Sequence, residues 1–437
     1  MKTSLKYILI LYLAFAVNVF SQHVKLNSVK DAIEYALRNN PDLEIYKQNK
    51  IKAEYDYKSL KFYWLPSINA NFSGVDNTDL PVTKVPGEIF GRPGTTVEAQ
   101  FGQQYNYNAG INLSKSILDF HSRFTAKILE MNVEIANANS SVYKQKLAEQ
   151  AALYYYTSII SSKALNVYEE DLKAAEDILA LVEQKYEEGI ADKHTVNLAK
   201  INKNSIEQNI KSFKIVLDQC NSNLRILFGL DYETEIIFVE KIDAYNTEIP
   251  AIEFLGADKS LEIYKLQMQQ ADYKVSQQRA SWYPKLSFNA YIGTQQYRDN
   301  FGMSFGGNDW SKVSYMSLNI SIPIFNRLTT INKVNSAKIE RDIAQNTLTN
   351  AMLKSKIVDE LTLKEFQHSK EAVASAKDSY NISKENADLQ YQKYEQGLVG
   401  LDKYLDSFDD YLKAEVAYLN LLLDSYNYYS KILSRNL

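Results

Sequence analysis

The sequence predicts a mainly α fold with β structure in the minority. It describes a tandem-repeat protomer whose few strands close into a membrane β-barrel only between copies, continued by long helices. Three observations predict it. The chain repeats its own plan, each half switches between a strand period and a helix period, and each half holds a helical run too long for a compact domain.

The repeat comes first because it organises everything else. Leu43-Glu44-Ile45-Tyr46-Lys47 matches Leu261-Glu262-Ile263-Tyr264-Lys265, and at the same offset Ala53 matches Ala271, Tyr55 matches Tyr273, Trp64 matches Trp282 and Pro66 matches Pro284. A second block aligns Ile111-Asn112-Leu113-Ser114 with Leu318-Asn319-Ile320-Ser321. A third aligns Lys185-Tyr186-Glu187-Glu188-Gly189-Ile190 with Lys393-Tyr394-Glu395-Gln396-Gly397-Leu398. Three blocks in one order make a tandem duplication. The expected division is a first repeat over residues 22–229, a connector without clear period over 230–257 and a second repeat over 258–437.

Each half contains two alternating runs. Ile68, Ala70 and Phe72 alternate with Ser67, Asn69, Asn71 and Ser73, and Tyr105, Tyr107, Ala109, Ile111 and Leu113 alternate with Asn106, Asn108, Asn112 and Ser114. In the second half Leu286, Phe288, Ala290 and Ile292 alternate with Lys285, Ser287 and Asn289, and Met316, Leu318, Ile320 and Ile322 with Ser317, Asn319 and Ser321. Period two is the strand signature, and it gives four strands, near 66–75, 105–115, 284–293 and 313–323. Runs of roughly nine residues suit a tilted strand crossing a bilayer, with lipid on the apolar face and water on the other. A soluble sandwich also alternates. Long segments, Val75 to Gln104 with Pro and Gly and the Gly-rich Gln296 to Lys312, join the strands of each pair.

Helices follow the second strand of each pair. Asp119 to Tyr186 and Asn326 to Tyr394 contain neither Pro nor Gly, and Phe124, Ile128, Met131, Ile135, Ala138 and Val142 step by four and three, a heptad seam. At 1.5 Å per residue such a helix is about 100 Å long. After Gly189 and Gly397 a shorter helix returns, which makes two antiparallel hairpins, 119–229 and 326–435. Ser28 to Asn39, Asp42 to Trp64 and Ser260 to Trp282 carry shorter helical patterns.

Composition bounds function. A formal net charge of −4 excludes the basic balance that phosphate binding requires, so no nucleic-acid partner is expected. Lys2, Lys6, the apolar run from Tyr7 to Val19 and the small-residue end at Ser21 make residues 1–21 an export signal. Beyond it no apolar run reaches membrane-helix length, so any crossing must use strands. Four strands in one chain cannot close, because a membrane barrel needs about eight or more. Copies must therefore share one barrel, and the residues themselves do not choose between two copies and three.

Three features resemble the TolC family of outer-membrane efflux factors, and together they cover nearly all of the chain after the signal. One is the pair Trp64-Leu65-Pro66 and Trp282-Tyr283-Pro284, where Pro ends a helix as the chain enters a strand. The next is the strand exit Ile322-Pro323-Ile324-Phe325-Asn326, similar to the family's Pro-Leu-Phe-Asp-Gly. The first half departs from it with Ser116 in place of Pro, and Phe120 and Arg327 stand where the family has Gly. The last is the hairpin tip, Tyr186-Glu187-Glu188-Gly189-Ile190 and Tyr394-Glu395-Gln396-Gly397-Leu398-Val399.

The resemblance implies a homotrimer with a 12-stranded barrel in outer-membrane lipid of a Gram-negative cell, continued by a long α-helical barrel in the periplasm. It implies an exit duct for small molecules, with a periplasmic adaptor (membrane fusion) protein and an inner-membrane pump as partners and no cofactor. By the same resemblance Gly189, Ile190, Gly397, Leu398 and Val399 contact the adaptor. Trp64, Pro66, Trp282, Pro284 and Pro323 mark the barrel entry. Asp402, Lys403 and Asp406 stand where the family places an acidic pore constriction; Asp406 fills one of its two acidic positions and Lys403 reverses the charge at the other.

Two other readings compete. Gly302-Met303-Ser304-Phe305-Gly306 has the spacing of a nucleophile elbow, but it lies between two strands with no helix after it. His23, His121, His194 and His368 have no ligand spacing, so neither catalysis nor a metal is expected. The same hairpins would also suit a periplasmic coiled-coil scaffold or the exit duct of type I protein secretion.

Overall fold

Strand and helix alternate in two rounds of one plan. The computed structural model describes residues 23–62, 64–240, 255–324 and 327–436. The expected signal, residues 241–254 of the expected connector, and Phe325 and Asn326 of the strand exit lie outside the described residues.

The first round runs β1 (His23–Leu26), α1 (Val29–Asn39), α2 (Pro41–Lys61), β2 (Ser67–Asp76), β3 (Val82–Pro86), β4 (Thr96–Gln100), β5 (Tyr105–Leu118), α3 (Phe120–Glu187) and α4 (Lys193–Phe228). After β6 (Glu235–Phe238), the second runs α5 (Ser260–Ala280), β7 (Lys285–Arg298), β8 (Ser311–Ser321), α6 (Arg327–Glu395) and α7 (Leu401–Arg435). The sequence foresaw four strands. The other four are β1 and β6, which pair in parallel, and β3 and β4, which form a hairpin inside the first strand-to-strand segment. The β1–β6 pairing joins distant segments and leaves no periodic trace, while β3 and β4 are masked by the Pro and Gly around them, which is why they escaped.

The described residues fall into two compact units that cut across the duplication, because each repeat gives strands to one unit and a hairpin to the other. The unit within 50–136 and 264–348 holds a four-stranded antiparallel sheet in the order β2-β5-β7-β8. Its registers pair Ile68 with Leu113, Ile111 with Ile292, and Phe288 with Leu318, so the apolar positions of all four strands share one face. The other face takes the Asn and Ser positions. A bulge between Ser116 and Leu118 shifts the β5 register where that strand ends.

The unit within 1–49, 137–263 and 349–437 is built on the two hairpins. On α7 the buried residues Leu401, Leu405, Phe408, Leu412, Glu415, Leu419, Leu422 and Tyr426 step by four and three along its whole length. The same seam recurs on α6 at Phe366, Val373, Tyr380 and Ala387, and on α4 at Ala199, Asn202, Ile206, Phe213 and Cys220. This is coiled-coil packing, in which each seam residue inserts between residues of a facing helix. Ala148, Ala151, Ala152 and Ala164 are buried on α3, small side chains that permit close helix approach. Two polar contacts tie the unit together: Asn202 Nδ2 donates to the Leu405 carbonyl at 2.9 Å, and Tyr155 donates to Glu240 Oε2 at 2.6 Å.

Candidate functional site

Most of the residues expected to carry function fall in two places, the sheet region in one unit and the hairpin tips in the other. In the sheet, β2 and β8 each have one neighbouring strand among the described residues, so their outer edges present a row of backbone donors and acceptors that no described strand pairs. The apolar face is bare as well: Ile68, Phe72, Ile111, Ile292, Met316, Leu318 and Ile320 are all exposed. On the opposite face Lys285 is the one charged strand residue, and it pairs with Asp119 at 3.9 Å. Burial pushes the Asp119 carboxyl up, while Ser122 and Lys285 outweigh that and hold it below the usual carboxylate range. A sheet with lipid-like chemistry outside, neutral polar groups inside and two unpaired edges cannot stand alone in a bilayer.

The barrel-entry residues sit where helix gives way to strand. α2 ends at Lys61 and β2 begins at Ser67; α5 ends at Ala280 and β7 begins at Lys285, so Pro66 and Pro284 each immediately precede a strand. Trp64 and Trp282 are half-exposed, and the neighbouring Tyr283 packs edge-on against Phe120 at 5.3 Å. Pro323 is exposed just past the end of β8.

At the tips, α3 and α6 close in the same way. Gly189 has φ 72° and Gly397 φ 73°, left-handed backbone that a side chain resists. Ile190 N–H returns to the Lys185 carbonyl at 2.8 Å and Leu398 N–H to the Lys393 carbonyl at 2.9 Å. The reversal pushes Ile190 and Leu398 outward, 70% and 69% exposed, while Val399 is half-buried. The tips differ in how the returning helix starts. Asp192 caps α4 by accepting from Thr195 N–H at 2.8 Å, and that bond, with the Thr195 hydroxyl, holds its carboxyl below the ordinary range. Gly400 begins α7 with no side-chain cap.

The two tips lie together. Lys185 Nζ donates to the Tyr394 hydroxyl, and a cleft of about 430 Å³ between them is lined by Lys185, Ile190, Asp192, Tyr394 and Asp402 among others. The structure therefore brings Asp402 to the tips, whereas Lys403 and Asp406 stand on the exposed side of α7, 3.9 Å apart.

Sequence reading missed an acidic pair deeper in the hairpins, the buried Glu415 and the half-buried Asp171. Glu415, at 0% exposure, takes a seam position of α7. The Tyr411 hydroxyl lies 3.3 Å from Asp171 Oδ2 on α3 and 3.5 Å from Glu415 Oε1. Burial pushes the Asp171 carboxyl up to about 6, against the opposing pull of the Tyr411 hydroxyl and the Lys384 charge. The signal was present, since Glu415 falls in phase with Leu412 and Leu419.

Ser304 lies between β7 and β8, where its backbone exchanges two hydrogen bonds with the Gln296 side chain. Among the described residues no group of three or more His, Cys, Asp or Glu could hold a metal ion, and no helix is long and apolar enough to cross a membrane.

Solved outer-membrane channels share this fold. The CmeC outer membrane channel of Campylobacter jejuni superimposes with a TM-score of 0.75 at 18% identity, over 93% of this chain and 85% of that one. VceC of Vibrio cholerae superimposes with a TM-score of 0.72 at 15% identity, over 93% and 95%. In sequence the chain is 21% identical over 408 residues to the solvent efflux pump outer membrane protein SrpC of Pseudomonas putida, across 90% of this chain and 82% of that protein. The toluene efflux pump outer membrane protein TtgI, also of Pseudomonas putida, matches at the same identity over the same shares. The family model described as outer membrane efflux protein matches residues 32–230 and 253–428, and the chain belongs to that family.

Proposed function

We propose that the chain is one protomer of a homotrimeric exit duct that passively conducts small molecules across the outer membrane. The protein is an outer-membrane component of efflux, as its family is. The observation that carries the finer reading is the four-stranded sheet, apolar on one face and neutral polar on the other, with both edges unpaired. Three copies joined edge to edge make a closed wall of twelve strands that leaves no backbone group bare in lipid. Trp64 and Trp282 anchor each copy at the interface, with Pro66, Pro284 and Pro323 ending helix or strand at the barrel rim.

The hairpins carry the passage into the periplasm. Ile190 and Leu398, turned outward by Gly189 and Gly397, together with the half-buried Val399, meet a periplasmic adaptor protein that couples the duct to an inner-membrane pump. Asp402, Lys403 and Asp406 line the narrowing of the passage near those tips, where rings of carboxylates favour cations. SrpC and TtgI are named for solvent and toluene pumps, which supports small molecules over secreted proteins as cargo. The duct reading involves no catalytic step.

Planar bilayers test it. The reconstituted protein is expected to give discrete currents that favour cations, and an inserted oligomer that passes no current would contradict the reading.

A further inference from the structure

The neutral face of the sheet is not uniform. Its positions are mostly Asn, Ser and Gly, yet Tyr291 and Tyr315 stand directly opposite one another on β7 and β8. Their rings are near-parallel, 24° apart in plane with centroids 5.4 Å apart. Tyr291 reclines across the paired glycines Gly110 and Gly293: a Cβ on the first would stand 2.5 Å from its hydroxyl oxygen, and on the second 2.6 Å. No larger residue at either place would let this ring lie flat on the wall.

We propose that Tyr291 and Tyr315 form an aromatic contact site on the inner wall of the barrel that takes the flat face of uncharged aromatic molecules in transit. The proposal rests on the duct reading, because only a closed barrel turns this face into a lumen. Covering bare glycine backbone is a structural task for aromatic rings in sheets, and Tyr107 performs it over Gly74 on the apolar face, where its hydroxyl also accepts from Gly302 N–H at 3.1 Å. That task does not account for Tyr315. It is not among the nearest neighbours of either Gly110 or Gly293 and remains 55% exposed, so its ring extends the platform begun by Tyr291.

The surroundings select the ligand. With Lys285 at the far end of β7 already paired to Asp119, no charged side chain on this face competes for a passing ion. What remains attractive is the ring surface, which prefers another flat ring in offset contact. A threefold assembly repeats the platform three times around the lumen, at mid-strand height.

The test is single-channel recording with indole as the flat probe and cyclohexanol as the puckered one, each at the same concentration. Indole is expected to interrupt the current for longer than cyclohexanol. Tyr291→Ala and Tyr315→Ala are each expected to shorten the indole interruptions about 2- to 10-fold, the loss of one aromatic contact. Tyr291→Phe, which keeps the ring, retains the long ones. Equal interruptions by the two probes, or indole interruptions unchanged in both alanine variants, would overturn the site while leaving the duct intact. If Tyr291→Ala does not assemble, Tyr315→Ala decides. A wild-type oligomer with no conductance removes the duct reading and this site with it, which is a separate result from conductance without probe discrimination.

Discussion

Leu419 and Leu318 are the same residue in opposite circumstances: Leu419 on α7 is 0% exposed, and Leu318 on β8 is 60% exposed. Around Leu419 the α7 seam residues turn inward into the core of the hairpin unit, although Ile215, Leu353, Ile357 and Ile382 of the same unit stay exposed. Around Leu318 the apolar residues turn outward and the polar ones form the opposite face. A coiled-coil seam thus finds its partners within one chain, whereas the sheet's apolar face and its two open edges need lipid and other copies.

Four substitutions break or sharpen that contrast. Leu419→Ala leaves a cavity in the seam and is expected to cost about 2–5 kcal/mol, seen as earlier loss of helical signal on heating. If Leu419 faced a partner rather than its own chain, the loss would depend on protein concentration. Ile292→Lys places a cation on the exposed face of β7, and about 2–4 kcal/mol of insertion is lost if that face meets mid-bilayer lipid. The readout is the yield of folded, heat-modifiable oligomer, and an unaffected yield would mean the face is wet.

The third concerns Asp171. Its carboxyl is raised from 3.8 to about 6 by burial, so the folded state holds a proton that the unfolded state releases. The contribution of Asp171 to stability is therefore fully present below about pH 4 and is lost as pH rises through about 6, at most about 3 kcal/mol. Asp171→Asn removes that slope from the thermal midpoint; a slope that persists assigns it elsewhere. The smallest effect is on stability at Asp406, whose exposed pairing with Lys403 contributes about 0–1 kcal/mol. Asp406→Asn is instead expected to raise anion passage in bilayers with the melting point unchanged, and unchanged selectivity would take Asp406 out of the pore.

The legible part of the fold was whatever repeats locally. Alternation at Ile68, Ala70 and Phe72, and heptads after Asp119, are dictated by solvent on either side of one segment, so one segment suffices to read them. The parallel pairing of His23–Leu26 with Glu235–Phe238 depends on residues far apart in sequence and left no mark. The β3–β4 hairpin left one in the alternation of Thr96 to Gln100, hidden by the Pro and Gly around it. In the sites, Gly189 and Gly397 were legible because a left-handed turn admits few residues. Asp402 and Asp406 differ in placement by a single helical turn, one toward the tip cleft and one toward the exposed side, and sequence spacing alone does not separate them.

The central claim is that β2 and β8 find their missing neighbours on other copies. The mass of the detergent-solubilised particle under native conditions tests it most directly. Three chains, released only by heat, are expected, whereas a stable single chain with both sheet edges bare would rule out the shared barrel.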